Sequence, residues 1–230
     1  MPVRIRVEVR ATSVVVPEGA FRAMRSAFAG CVTVLVWMLV SGAPARAQVP
    51  LPQFSADVMT PSGTPDKLYV GSGKVRIEHL QDQRPVIFIV DLGTQAGVML
   101  DPTQKMYRAG MTPGLAAYFA LLQPIDPGNP CPRLRQIAQA AVSASKLKVL
   151  ECKNIGGETV NGRRTVKWVG TSQTGQFPPR TGYFWIDPPL HFIVKSQNAD
   201  GSGLFELRNI KEAPQPAGLF EIPPGYQKAP

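Results

Sequence analysis

A run of short alternating segments, each closed by turn residues, limits the fold more than any other feature of this chain. "FSADVMT" (Phe54 to Thr60) sets Phe54, Ala56 and Val58 on one face of an extended segment. "DKLYVGSGKVRIEHL" continues with Leu68-Tyr69-Val70, a Gly71-Ser72-Gly73 turn, and the alternating Val75, Ile77 and His79. "RPVIFIVDLGTQAGVMLDPTQKMYRAG" adds Val86 to Val90, Gly97 to Leu100 and Lys105 to Arg108, with breaks at Asp91-Leu92-Gly93 and Asp101-Pro102. Links this short suit hairpins, so these pieces are expected to form an antiparallel meander.

The pattern changes once. From Ala109 to Ile125 the chain carries no charge, and its centre reads "MTPGLAAYFALLQPI". Thr112 suits an N-cap, and Pro113 suits the first helical position, where a missing N–H costs nothing. Pro124 disfavours helix at Gln123, which gives an expected helix near Pro113 to Leu122. A second helix is expected near Pro132 to Ser145, because Leu134, Ile137, Ala138, Ala141 and Val142 share one helical face. Strands then return at Thr165 to Val169, Tyr183 to Ile186, Phe192 to Ser196 and Leu204 to Ile210, with Asn161-Gly162 and Asp200 to Gly203 as hairpin signals. Strands, two helices and strands in that order define a segregated α+β layout, read as a strongly curved antiparallel sheet with helices against one face. Tyr183 and Trp185 share one strand face and Phe184 and Ile186 the other, and the sequence leaves open which face points inward. Glu158 and Arg163 are expected to pair at the surface for little energy.

The N-terminus reads as an export address. Arg25 supplies positive charge, Ala27 to Val40 an apolar stretch, and Ala45-Arg46-Ala47 a small-x-small cleavage site. Residues 1–47 are therefore expected to be removed after Ala47, leaving 48–230 as one periplasmic domain. Phe28-Ala29-Gly30-Cys31 resembles a lipidation signal, but that cysteine precedes most of the apolar stretch, and this order argues against a lipid anchor. Of the net +9, the leader holds six basic and two acidic residues, which leaves 19 Lys and Arg against 14 Asp and Glu. These charges are scattered, so a nucleic-acid partner is excluded and transient contact with an anionic membrane is the most the balance supports. Cys131 and Cys152 remain after cleavage. In an oxidising compartment they read as a disulfide, the alternative being two free thiols with no histidine near in sequence to activate them.

Reaction chemistry is sparse. His79 and His191 are the only histidines and neither stands in a zinc-binding spacing, so each is expected to be a strand residue with an ordinary hydrogen-bond partner. No nucleophile elbow or phosphate-binding loop occurs, and acidic residues fall singly at turns such as Asp91, Asp101, Asp126 and Asp187. No catalytic residue, metal or cofactor is expected, and the chain is read as a non-enzyme.

Taken in order, "FSADVMT", "GKVRIEHL" with its Arg76, "VDLGTQAGVMLDPTQKMYR", "CKNIGGETVNGRRTVKW", "YFWIDPPLHFIVKS" and "ELRNIKEAPQPAGLFEIPPGYQK" resemble the LolA/LolB-like superfamily of exported proteins that handle lipids or lipoproteins. The Phe-x-x-Pro-x-Gly-Tyr pattern from Phe220 to Tyr226 is the most specific part. The resemblance implies an incomplete β-barrel with a helical lid of about two helices on its concave face, and an apolar cavity for acyl chains. No position here matches the carriers' functional arginine or partner-binding loops, so no gating residue is carried over. On this reading Leu115, Tyr118, Phe119, Leu122, Ile137 and Ala141 line the cavity, and the partners are a lipid or lipoprotein acyl chain and an envelope receptor. Arg133 and Arg135, in the first turn of the second helix against its dipole, are read as two solvated cations, the alternative being that they meet an anionic headgroup at the cavity mouth. Two alternatives stay open. The apolar helix is itself enough to fill the protein's own core, each buried side chain contributing about 1.5–3 kcal/mol. The same fold also suits an envelope interaction or stress-sensing protein that carries no ligand.

Overall fold

A computed structural model describes residues 51–61, 63–111, 113–141 and 147–230, with the side chains of 113–115, 117, 141 and 150 outside that description. The expected leader, Thr112 and the end of the second helix (142–145) lie outside the described residues.

The first meander comprises β1 (Phe54–Met59), β2 (Asp66–Gly71), β3 (Lys74–Gln81), β4 (Arg84–Asp91), β5 (Gly97–Asp101) and β6 (Met106–Ala109). Helices α1 (Pro113–Leu121) and α2 (Cys131–Ala141) follow, and then β7 (Leu147–Val160), β8 (Arg163–Thr174), β9 (Arg180–Asp187), β10 (Phe192–Asn198) and β11 (Phe205–Glu212). A 3-10 turn at Ala217–Phe220 leads to the two-residue β12 (Gln227–Lys228). All twelve strands form one curved, unclosed sheet in the order β12-β6-β5-β4-β3-β2-β1-β11-β10-β9-β8-β7.

This order joins two sequential meanders at a seam where β1 pairs antiparallel with β11, Phe54 facing Glu212. Two-residue turns set the register of the β2–β3, β3–β4 and β7–β8 hairpins. Ser72-Gly73 and Asn161-Gly162 take positive φ at both central positions, the geometry that matches strand twist. Asp82-Gln83 does the same without a glycine. His191, expected in a strand, instead takes φ 56 in the turn between β9 and β10, where its amide donates to the Asp187 carbonyl at 2.9 Å. The sheet departs from the expected all-antiparallel pattern at one point, since β12 runs parallel to β6. β7 is an element the sequence did not announce. Its two register shifts against β8 break the alternation that would have marked it.

The main core lies on the helix-bearing face, where Phe54, Leu68, Ile77, Ile186, Phe192 and Leu207 are fully or almost fully buried. Phe184 and Ile186 belong to this face. Tyr183 and Trp185 take the other, where Trp185 donates to Glu158 at 2.9 Å and Lys167 and Lys195 each stand 4.6 Å from its ring centre. Glu158 therefore pairs with Lys167 and not with Arg163, the partner expected from sequence. Arg163 instead binds the buried Asp187 and reaches Glu212 at 2.8 Å. The reason lies in the register. Thr165 stands directly opposite Glu158, which leaves Arg163 and Lys167 at the two diagonal positions of the same face. Asp187 draws Arg163 away, and Lys167 takes the carboxylate.

A smaller cluster of Ile89, Leu100 and Phe220 sits on the opposite face under the C-terminal segment. Arg76 fastens it by donating to the Leu219 carbonyl at 2.9 Å and to Glu78.

Candidate functional site

Strand register builds the site. On the helix-bearing face, cross-strand partners form one continuous row: Ala56 opposite Leu68, Leu68 opposite Ile77, Ile77 opposite Phe88, Phe88 opposite Met99, and Met99 opposite Arg108. The row begins in the core and grows more exposed towards the sheet edge; Phe88 and Met99 are half-buried and Arg108 is exposed. Gly97 lets the chain after β6 come close, because a Cβ there would stand 2.5 Å from Met111 Cγ.

Helix α1 lies over the inner part of this row. Its Phe119 meets Phe88 edge to face with centroids 6.2 Å apart, and Phe119 and Leu122 are buried in the core. Between the helix and the outer row is a cavity of about 770 Å³, open to solvent on one side and lined by Ile77, Phe88, Met99, Met111 and Tyr118, with Asp66, His79, Gln81 and Arg108 among its polar groups.

One polar junction ties helix to sheet. Tyr118 Oη donates to Asp66 Oδ2 at 3.0 Å, and His79 Nδ1 lies 2.7 Å from Asp66 Oδ1. An ionised carboxylate only accepts, so the imidazole proton sits on Nδ1. Asp66 is 6% exposed, which makes these two donors its compensation for leaving water. Burial, then the negative charge of Asp66 and the hydrogen bond to it, hold the Tyr118 phenol well above the usual tyrosine range. His79 thus has the ordinary partner expected of it. Among the described residues no group of three or more His, Cys, Asp or Glu side chains is arranged to hold a metal ion.

The residues singled out from the sequence fall in different places. Tyr118 lines the cavity, Phe119 and Leu122 lie in the core beside it, and Ile137 is half-buried against that core. The side chains of Leu115 and Ala141 lie outside the described residues. Arg133 is away from the cavity lining. Its guanidinium donates to the Ala120 carbonyl at 3.0 Å and to Gln136 at 2.8 Å, and burial holds its pKa below the ordinary arginine value. A cation at the start of α2 thereby serves the C-terminal end of α1, where it is favourable. Arg135 lines a separate small pocket of about 50 Å³ beside the disulfide. Cys131 and Cys152 are bonded to each other and tie the start of α2 to β7.

Asp66, His79, Phe88, Met99 and Arg108 were not among the sequence candidates. The signal was present in the turns: counting outwards from Ser72-Gly73 and Asp82-Gln83 already sets Leu68, Ile77 and Phe88 side by side.

These features define an open antiparallel sheet with a solvent-accessible, mostly apolar cleft under a helix. No family model matches the sequence, and no curated protein matches it significantly. Solved structures similar to the chain include an uncharacterized conserved protein from Thermus thermophilus, at 10% identity and a TM-score of 0.46, covering 77% of this chain and 90% of that one. Mycobacterium tuberculosis lipoprotein LppX matches at 16% identity and a TM-score of 0.36, over 74% of this chain and 90% of LppX. MucB matches at 15% identity and a TM-score of 0.35 over 74% of this chain, which spans only 57% of MucB. Scores and identities at this level assign neither a family nor an activity.

Proposed function

We propose that this is an exported, non-enzymatic protein that binds the acyl chain of a lipid or acylated protein in the cleft under α1. The observation that carries this reading is the cavity itself. At about 770 Å³ it falls within the roughly 300–1,000 Å³ usual for small-molecule sites, and its wall is mainly apolar with a few polar groups. The helices act as a lid on the concave face of the sheet. Binding exchanges contacts of α1 with the sheet for contacts of the ligand with the sheet, so a receptor that favours the closed form drives release. The leader directs the chain to the periplasm and is cleaved after Ala47. The modest basic balance supports brief contact with an anionic membrane during loading or delivery.

The test is native mass spectrometry of the protein purified from a periplasm after expression of the full chain, followed by solvent extraction of bound lipid. A stoichiometric acyl species, reduced in Met99→Glu while the fold is retained, is the expected result. A clean apoprotein that also takes up no added acyl probe overturns the reading. That outcome would favour a second one, an envelope interaction protein using its hairpin loops, for which Phe177 speaks by being 72% exposed in the β8–β9 connection.

A further inference from the structure

One lining group of the cleft has no task in acyl binding as described so far. Arg108 ends the row that starts in the core at Ala56, and it stands on β6, next to the sheet edge. Among the described residues it has neither an ion pair nor a hydrogen bond, whereas Lys67, Arg76, Arg163 and Arg208 on other strands all hold carboxylates. The acids on this side of the sheet are committed elsewhere. Asp66 is held by His79 and Tyr118, and Asp101 at the end of β5 accepts the Gln104 amide of its own turn at 2.9 Å. The cleft thus has an apolar floor with an uncommitted guanidinium at its open end and a buried carboxylate towards the helix.

We infer that Arg108 receives an anionic head, so that the ligand is a single-chain amphiphile ending in a carboxylate or phosphate. This rests on the acyl-binding reading of the same cleft. The guanidinium presents a planar fork of donors that matches either anion two bonds at a time, which a neutral alcohol lacks the charge and the second acceptor to exploit. Orientation follows from the same charges. The Asp66 carboxylate repels an anionic head from the inner end of the cleft, so the chain tail runs inward along Met99, Phe88 and Ile77 while the head stays at Arg108. Depth supports this arrangement, since burial falls steadily from Ile77 through Met99 to Arg108.

The test compares laurate, dodecyl phosphate and dodecanol, which share one chain length, by displacement of a fluorescent acyl probe from the delipidated protein. Both anions are expected to bind more tightly than the alcohol, with the preference narrowing as salt is raised. Arg108→Ala is expected to weaken the anions about fivefold, the scale of one partly exposed charge pair, and to leave dodecanol unchanged. Arg108→Glu should weaken them further and Arg108→Lys should restore most of the loss. Which anion falls more in Arg108→Ala tells carboxylate from phosphate recognition. If dodecanol binds but Arg108→Ala leaves the ratio of anion to alcohol affinity as it was, the headgroup inference is overturned and acyl binding stands. If neither the acyl probe nor any of the three amphiphiles binds, acyl binding falls and this inference with it. Arg108 is exposed and, among the described residues, unpaired, and an unchanged melting temperature in each variant keeps these outcomes separate from misfolding.

Discussion

Replacing Tyr118 by Phe removes one atom from the junction between α1 and the sheet. The ring keeps its edge contact with Phe119, at 5.9 Å between centroids, so packing is conserved. The loss is the 3.0 Å hydrogen bond to Asp66 Oδ2. Hydrogen bonds to charged groups contribute about 1.5–3 kcal/mol net. Asp66 is nearly buried yet keeps His79 on its other oxygen, which places the expected cost near the middle of that range, at about 2 kcal/mol. For a domain of this size that lowers the melting temperature by about 4–8 °C. The pH dependence gives a second, independent reading. The folded phenol titrates above the ordinary tyrosine range, so the unfolded chain loses this proton first. The stability contributed by Tyr118 is therefore fully present below about pH 10 and is lost as pH rises beyond it. Other tyrosines titrate in both proteins and cancel in the difference. Urea denaturation of wild type and Tyr118→Phe, run from neutral pH to about pH 11, should show a gap that is constant at first and then closes. An equal melting temperature at neutral pH, or a gap that stays flat through the alkaline range, would refute the junction as described.

Two further perturbations test what frames the cleft. Changing both Cys131 and Cys152 to Ala opens a link between residues 21 apart in sequence and should cost about 3 kcal/mol; reductant should lower the wild-type melting temperature and leave the variant's alone. Arg163→Met strips the ion-pair partner from Asp187, whose side chain is 1% exposed, and should cost about 3 kcal/mol in urea denaturation, a loss under about 1 kcal/mol meaning that the carboxylate has reached water.

The strands and helices were legible where burial imposes a period. β1 and β3 alternate because one face packs into the core, and α1 announces itself by an uncharged run between Pro113 and Pro124. β7 was not legible, because Lys153 to Thr159 are exposed on both faces and Gly156-Gly157 reads as a turn. β12 was hidden for another reason: two residues pairing in parallel with β6 leave no local pattern at all. The site divides in the same way. Tyr118 stood out on an apolar helix, but its partner Asp66 is distant in sequence and looks like any acid near a turn. Arg133 was illegible for a third reason, since its contacts depend on where the end of α1 lies in space.

The seam between β1 and β11 has a consequence for how the chain assembles. Every other antiparallel pairing in the sheet joins strands that follow one another along the chain, so each closes a short loop and forms as a local hairpin. Phe54 and Glu212 must instead find each other across nearly the whole domain. Of the antiparallel pairings the seam carries by far the largest loop-closure entropy, so it is expected to limit the folding rate, and until it closes the edges of β1 and β11 are open to wrong partners.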